Sequence, residues 1–427
     1  MKVLQVCLYE DGGGAPRAAN RLNRALVESG CDSRMYVLHK NAGDPRTVQY
    51  APAGGLLDRL AVRARRRVLA AARRGYRVTG GWMYDDDRSP FGGGACARLP
   101  ECDLVHLHWI AGFLDHRAFF RRHGGRRPVV WTLHDMSAFT GGCYFDGGCG
   151  RFTGRCGACP RLGSSDEDDL SAAVWRRKER TYRALPDGAL HLVALSRWME
   201  GQVKAGSLLS RFPVTLIPNG IDHELYRPID RAAARAALGL PADARAVLFL
   251  AHGVDLERKG MHLLLEALAR LRDVPNLLLL SVGSGAPQLP AGLAGRHLGS
   301  VQNELFLPIV YSAADVFALP SLQDNLPNVM LEAMSCGVPV VGFACGGIAE
   351  TVRNGDNGLT VPVGDTAALA AALRSVLEDA ALRDRAGAAA RETILRGFTL
   401  RHQAERHLAL YKGLLGAAEK GAANGAC

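Results

Sequence analysis

The sequence predicts an α/β fold: two Rossmann-like, doubly wound domains with parallel sheets, facing a cleft. Three observations carry this prediction. The chain has 427 residues, too many for one ordinary core and suited to two domains of about 200 residues each. Strand-like apolar runs alternate with helix-like stretches from end to end, the pattern of parallel α/β architecture. The alternation breaks once, near Pro218–Pro228, and then restarts. The expected division is 1–210, then 211–395, then a C-terminal helix and tail over 396–427.

In the first series Val3–Leu8 reads as a strand, followed by the loop Asp11–Ala15 and a helix from Pro16 to Glu28. Further strands fit Arg34–Leu38, Leu104–His108, Val129–Leu133 and Leu192–Leu195. In the second series the strands are Val247–Ala251, Leu277–Val282, Val316–Leu319, Val338–Val341 and Leu359–Val361. Its helices are Met261–Leu271, Leu305–Ala314, Asn328–Cys336 and Thr366–Leu377. Ligands of such sheets bind at the carboxyl ends of the strands.

The hydrophobic fraction of 48% and charged fraction of 22% are those of a soluble globular protein. Only the small-residue tail after Lys420 reads as disordered. No apolar run approaches the ~18 residues that cross a bilayer. The opening MKVLQVCLYEDGGG has too short an apolar core for a signal peptide. A cytoplasmic location is expected, where disulfides are not.

The net charge of +10 is concentrated. Between Leu56 and Val78 lie Arg59, Arg63, Arg65, Arg66, Arg67, Arg73, Arg74 and Arg77 against one acid, Asp58. Leu57, Leu60, Ala64, Val68 and Ala72 line another side of the same helix. Such a basic amphipathic helix suits an anionic membrane surface at the inner face of the cell membrane; the alternative is a solvated helix packed on the domain. Nucleic acid is not the expected partner.

The stretch DNLPNVMLEAMSCGVPVV places Asp324 in a loop and Glu332 inside the helix that follows. Pro327 suits the first helical position, and Gly337 the C-terminal cap. Glu332 then lies five residues inside the helix, ~7.5 Å along its axis from the start. Carboxylates accept hydrogen bonds from hydroxyls, and a helix start accepts phosphate; a sugar nucleotide offers both. The competing reading makes Asp324 a helix cap and Glu332 a solvated side chain. Upstream, Arg258–Lys259–Gly260 brings two cations to another helix mouth.

With IPNGIDHELYRP (217–228), GGIAETVRNGDNGLTVPVGD (346–365), GGGAPRAANRL (12–22) and PVVWTLHD (128–135), these blocks resemble the retaining family-4 glycosyltransferases of GT-B fold. The stretch TLHDMSAFTGGCYFDGGC, with DNLPN, is similar to a bacterial exopolysaccharide subgroup of colanic-acid type. The resemblance implies roles. Glu332 would bind the ribose hydroxyls of a nucleotide-diphosphate sugar. Asp324 would bind the donor sugar, helped by the backbone around Asn325 and Leu326. Lys259 and Arg258 would neutralise the leaving diphosphate, Gly13 and Gly14 would let backbone approach it, and His134 would face the reacting carbon. The acceptor would be a saccharide or a lipid-linked sugar. The chain departs from the family in having Asp324 where Glu is usual, and in lacking an arginine around Ala251–His252–Gly253. Fixed cations can stabilise the developing anion, so no catalytic metal is expected. Asp85–Asp86–Asp87 reads as a solvated acidic turn. A sugar-nucleotide epimerase of the same fold, or a transferase using a small soluble acceptor, is the alternative.

Cys143, Cys149, Cys156 and Cys159 fall in a glycine-rich insert (about 141–165) at C-x5-C-x6-C-x2-C spacing. This suits a structural zinc with four thiolates, the metal supplying folding energy to a segment with little apolar material. Reduced thiols, a redox pair and an iron–sulfur cluster are the alternatives. His106 and His108 read as core or cleft histidines, and Cys7, Cys336 and Cys345 as buried small residues.

Overall fold

The computed structural model describes residues 1–52, 54–78 and 83–424. It divides into two compact units: Met1–Pro218 with the chain from Gln403 onward, and Asn219–His402. The first boundary falls eight residues later than the sequence suggests, and most of the C-terminal helix (Leu400–Asn424) belongs to the first unit. That helix continues through the segment expected to be disordered, where alanine favours helix; residues 425–427 lie outside the described residues.

Unit 1 holds a seven-stranded sheet: β1 (Lys2–Tyr9), β2 (Asp32–His39), β3 (Thr47–Gln49), β4 (Leu104–Leu107), β5 (Val129–Leu133), β6 (Leu190–Ala194) and β7 (Val214–Leu216). Their order is β3-β2-β1-β4-β5-β6-β7, every pair parallel. Unit 2 holds β8 (Arg245–Gly253), β9 (Leu277–Ser284), β10 (Ala294–His297), β11 (Val316–Leu319), β12 (Val340–Phe343) and β13 (Gly358–Val361). Their order is β10-β9-β8-β11-β12-β13, again all parallel. Numbered within its own unit, each sheet runs 3-2-1-4-5-6, the doubly wound order, with the reversal beside its first strand and, in unit 1, a seventh strand added at the edge. The sheets have apolar, nearly continuous strands because helices cover both faces; Leu104, Val105 and Leu107 are all fully buried, as are Val316, Phe317 and Ala318.

The strands that sequence reading missed, β3, β7 and β10, all lie at sheet edges. They are short, and β10 is Ala-Gly-Arg-His with little apolar character. Short edges resist pairing with other chains, and runs of three or four residues are too brief to leave a periodic signal. The strand expected at Val338 begins at Val340, since Pro339 has no N–H to give a ladder.

Candidate functional site

In unit 2 the candidate residues gather where β8 and β11 end. Beyond β8 the chain makes a short 3-10 turn at Glu257–Lys259 and enters the helix Met261–Ala269 through Gly260, whose φ is 74°. Any Cβ at Gly260 would strike the Pro320 carbonyl, so glycine lets these two loops touch. Leu322 N–H donates to the Arg258 carbonyl (2.9 Å) and Arg258 Nη1 to the Gln323 carbonyl (2.8 Å), closing the seam.

Inside the seam Lys259 Nζ donates to Asp324 Oδ2 at 2.5 Å, and Arg258 Nη1 lies 3.4 Å from the same oxygen. Asp324 Oδ1 accepts the Asn325 N–H at 3.1 Å. Burial works against the Asp324 carboxylate, but Lys259 and Arg258 outweigh it and hold the group below its usual range. Burial draws the Lys259 ammonium below its usual value even beside that carboxylate. Gly346, with φ 49°, lets the next loop close over this one: a Cβ there would meet the Asp324 carbonyl, and Gly347 N–H donates to Asn325 O at 2.6 Å. Asn325 and Leu326 are buried.

The helix after this loop spans Asn328–Ser335, so Pro327 is its N-cap residue rather than its first helical one, and Asp324 makes no cap contact. Gly337 follows with φ 71°, the left-handed C-terminal position expected of it. Glu332 is 1% exposed, which rules out a solvated role. Its Oε2 accepts the Tyr311 hydroxyl at 2.7 Å. Tyr311 was not legible as a site residue, because only the fold brings its helix (Leu307–Ser312) to Glu332.

In unit 1 the carboxyl ends of β1, β4 and β5 carry Gly12–Gly14, His108–Trp109 and His134. Gly13 has φ 71° and caps the helix Gly14–Glu28. A Cβ at Gly13 or Gly14 would meet nothing within 4 Å. Glu10, overlooked in the sequence, is buried at the end of β1 and accepts backbone N–H groups from Asn41, Ala42, Gly43 and Asp44. Burial opposes its charge, but those amides hold its carboxyl low. The charge therefore organises a loop rather than a ligand.

His134 lines a concavity of about 410 Å³, open mouth included, with Asp85, Trp109, Asp135 and Lys178. Burial pushes the His134 imidazole down to about 3, so it is neutral at physiological pH. His106 and His108 are buried core residues, as expected. The acidic triplet corrects the solvated-turn reading. Asp86 and Asp87 are buried, and Arg177 Nη2 donates to both, at 2.9 and 2.6 Å; Arg88 forms a fork on Asp86. Asp85, beside Arg73 at 3.2 Å, is pushed by burial up to about 7.

The zinc expectation is not supported. Cys143, Cys149, Cys156 and Cys159 do line one small cavity. Among the described residues, however, no group of three or more His, Cys, Asp or Glu side chains is arranged to hold a metal ion. The premise of an insert without apolar material fails too. Phe145, Phe152 and Cys156 join the main core, while Cys143, Cys159 and Leu162 form a second cluster with Tyr84, Leu170 and Val174. Gly141 N–H donates to Cys156 Sγ at 3.1 Å, and Asp169 accepts the Cys159 N–H at 2.8 Å.

The basic helix spans Leu56–Arg73 and contains no buried residue. It docks through Val62 on the main core and Ala72 on the second cluster. Leu56, Leu57, Leu60 and Val68 are 73, 83, 50 and 56% exposed. The apolar row seen in the sequence is thus mostly turned away from the unit. Among the described residues no helix is long and apolar enough to cross a membrane.

A profile described as Glycosyltransferase Family 4 matches residues 12–225, half of the chain. The chain belongs to glycosyltransferase family 4. A second profile, Glycosyl transferases group 1, matches residues 244–379, the part of the family-4 chain that carries Lys259, Asp324 and Glu332. Among curated relatives, D-inositol 3-phosphate glycosyltransferase of Mycobacterium leprae is 30% identical over 270 residues, covering 61% of this chain and 56% of the relative. Its counterpart in Mycobacterium tuberculosis is 31% identical, covering 61% and 50%. The chain thus spans about half the length of these relatives. Two solved structures share the fold. Sucrose-phosphate synthase from Thermosynechococcus elongatus has a TM-score of 0.67 at 22% identity, over 98% of this chain and 100% of that one. Anabaena Alr3699/HepE, solved with UDP and glucose, has a TM-score of 0.65 at 19% identity, over 96% and 99%. The family-4 chain is accordingly of GT-B class, with two parallel-sheet α/β domains.

Proposed function

We propose that this protein is a retaining glycosyltransferase that moves a sugar from a nucleoside-diphosphate donor to a saccharide or lipid-linked acceptor in cell-surface polysaccharide assembly. The observation that carries the reading is the seam in unit 2, where Lys259, Arg258 and Asp324 meet at the ends of β8 and β11, with buried Glu332 in the following helix. Cleavage of the anomeric C–O bond leaves positive charge on the sugar and negative charge on the diphosphate. Lys259 and Arg258 are fixed cations that stabilise the leaving diphosphate with little reorganisation. Glu332 accepts ribose hydroxyls, and Asp324, with the backbone at Asn325 and Leu326, orients the donor sugar. In unit 1 neither the packing around Gly14 nor its backbone demands a glycine, which supports close approach by a phosphate. Neutral His134 is assigned to the reacting carbon.

Family membership supports this reading, as do a curated relative named as a D-inositol 3-phosphate glycosyltransferase and a solved neighbour holding UDP and glucose. The test is incubation with a panel of sugar nucleotides and saccharide acceptors, with NMR assignment of the product anomer. Transfer with retained configuration is expected. Inversion would overturn the mechanism, and epimerised donor with no transfer would overturn the reaction class.

The exposed leucines beside arginines support a further part of the reading, that the basic helix rests on anionic lipid near a lipid-linked acceptor. Each basic residue near such a surface contributes about 1 kcal/mol. Binding to anionic vesicles should fall with salt and be lost when Arg63, Arg66, Arg67 and Arg74 become Gln. Binding that survives both would exclude this helix as the anchor.

A further inference from the structure

Unit 1 contains a buried chain of hydrogen bonds that no short motif records. His134 Nε2 lies 3.0 Å from His108 Nδ1, and His108 Nε2 lies 2.7 Å from Gln5 Oε1. The Gln5 amide nitrogen lies 3.5 Å from the Tyr411 hydroxyl, which lies 2.6 Å from His106 Nδ1. His106 Nε2 ends the chain 2.7 Å from Thr132 Oγ1. Six segments contribute: β1, β4, the loop beyond β4, β5, the loop beyond β5 and the C-terminal helix.

We propose that Gln5, His108 and Tyr411 are positioning residues that hold His134 as a single tautomer, with its proton on Nε2. A neutral imidazole has one donor nitrogen and one acceptor nitrogen, so each link fixes the next. The Gln5 carbonyl oxygen can only accept, so His108 donates from Nε2. His108 is buried beside two other imidazoles and stays neutral, so its Nδ1 must accept, and His134 donates from Nε2. At the far end Tyr411 donates its hydroxyl proton to His106 Nδ1, and His106 donates from Nε2 to Thr132.

The opposite polarity is the one rival. It would turn the Gln5 amide over, send the Tyr411 proton toward Gln5 and place the His134 proton on Nδ1. The contacts of Tyr411 favour the first polarity, whereas the 2.7 Å contact at Thr132 taken alone suits a hydroxyl donor. Hydroxyl donors make bonds of about 2.7 Å, whereas N–H donors usually need about 2.9 Å. The 2.6 Å contact to His106 suits Tyr411 O–H as its donor; the rival would stretch that proton across the 3.5 Å gap instead. Once polarised in one direction, such a chain strengthens along its length. His134 then presents Nδ1 as an acceptor, so a group meeting it there must donate. The catalytic meaning of this rests on the glycosyl-transfer reading; the tautomer does not.

The experiment is nitrogen-15 NMR of histidine-labelled protein, with His134 assigned by loss of its signals in His134→Gln. The wild type should show the Nε2–H tautomer between about pH 6 and 8. Tyr411→Phe, which frees the Gln5 amide to turn over, should give a mixture or the Nδ1–H form. Gln5→Glu, whose carboxylate only accepts, should retain Nε2–H and serves if the tyrosine variant does not fold. Protection by sugar nucleotides, read separately, should be unchanged in Tyr411→Phe. An Nδ1–H tautomer in the wild type, or an unaltered His134 in Tyr411→Phe, would overturn the proposal whether or not the enzyme transfers sugar.

Discussion

The carboxyl edges of the two sheets share a strand order and differ in chemistry. In unit 2 the edge is ionic: two cations converge on one buried carboxylate, and a second carboxylate is held by a tyrosine. In unit 1 the edge presents a neutral imidazole held by a chain of neutral partners, and the buried Asp86 and Asp87 beside it are already matched by Arg177 and Arg88. One fold order thus supports two kinds of work. An ionic edge suits a charged ligand that replaces internal partners, whereas a neutral edge suits a group whose protonation state must not change.

The comparison breaks most readily at Lys259. Lys259→Met leaves Asp324 buried beside Arg258 alone; losing one partner of a buried pair costs about 3–5 kcal/mol. Denaturant unfolding should register that loss, and calorimetry should find diphosphate binding abolished. A wild-type midpoint would show that the seam is not a tight pair. Glu332→Ala comes next. It strands the Tyr311 hydroxyl, costing about 1–3 kcal/mol, and should weaken nucleotide binding by at least about tenfold. By contrast, Asp324→Asn should mainly lower turnover while a nucleoside diphosphate still binds. Equal loss of nucleotide affinity in both carboxylate variants would remove the division of roles.

The smallest effect sharpens the unit 1 side. Burial raises Asp85 to about 7, against an ordinary value of 3.8. The folded state therefore keeps a proton that the unfolded chain releases, and stability falls as pH rises from about 4 to 7. Asp85→Asn removes that slope, so its melting temperature relative to wild type should rise across that window and level off above it, by about a few degrees. A difference independent of pH would mean that Asp85 is ionised throughout.

Legibility followed sequence distance. Arg258, Lys259, Asp324 and Glu332 sit in short runs beside strand ends, where turn chemistry and helix starts are local signals, and the parallel α/β class follows from the alternation itself. Partners joined only by the fold left no trace: Arg177 on Asp86 is separated by 91 residues and Tyr411 on His106 by 305. The basic helix was legible as amphipathic, but which apolar residues pack depends on the unit beneath it. The cysteine spacing misled because thiol count says nothing about how sulfurs are oriented, or about the aromatic residues that anchor the insert.

The central claim, that the ionic edge of unit 2 holds a nucleoside-diphosphate sugar, is tested most directly by thermal unfolding with a panel of sugar nucleotides, wild type against Glu332→Ala. A ligand at a hundred times its dissociation constant stabilises the folded state by about 2.7 kcal/mol. The account predicts that at least one sugar nucleotide raises the wild-type midpoint by several degrees while Glu332→Ala gains little from it. No shift with any of them, or an equal shift in the variant, would contradict it.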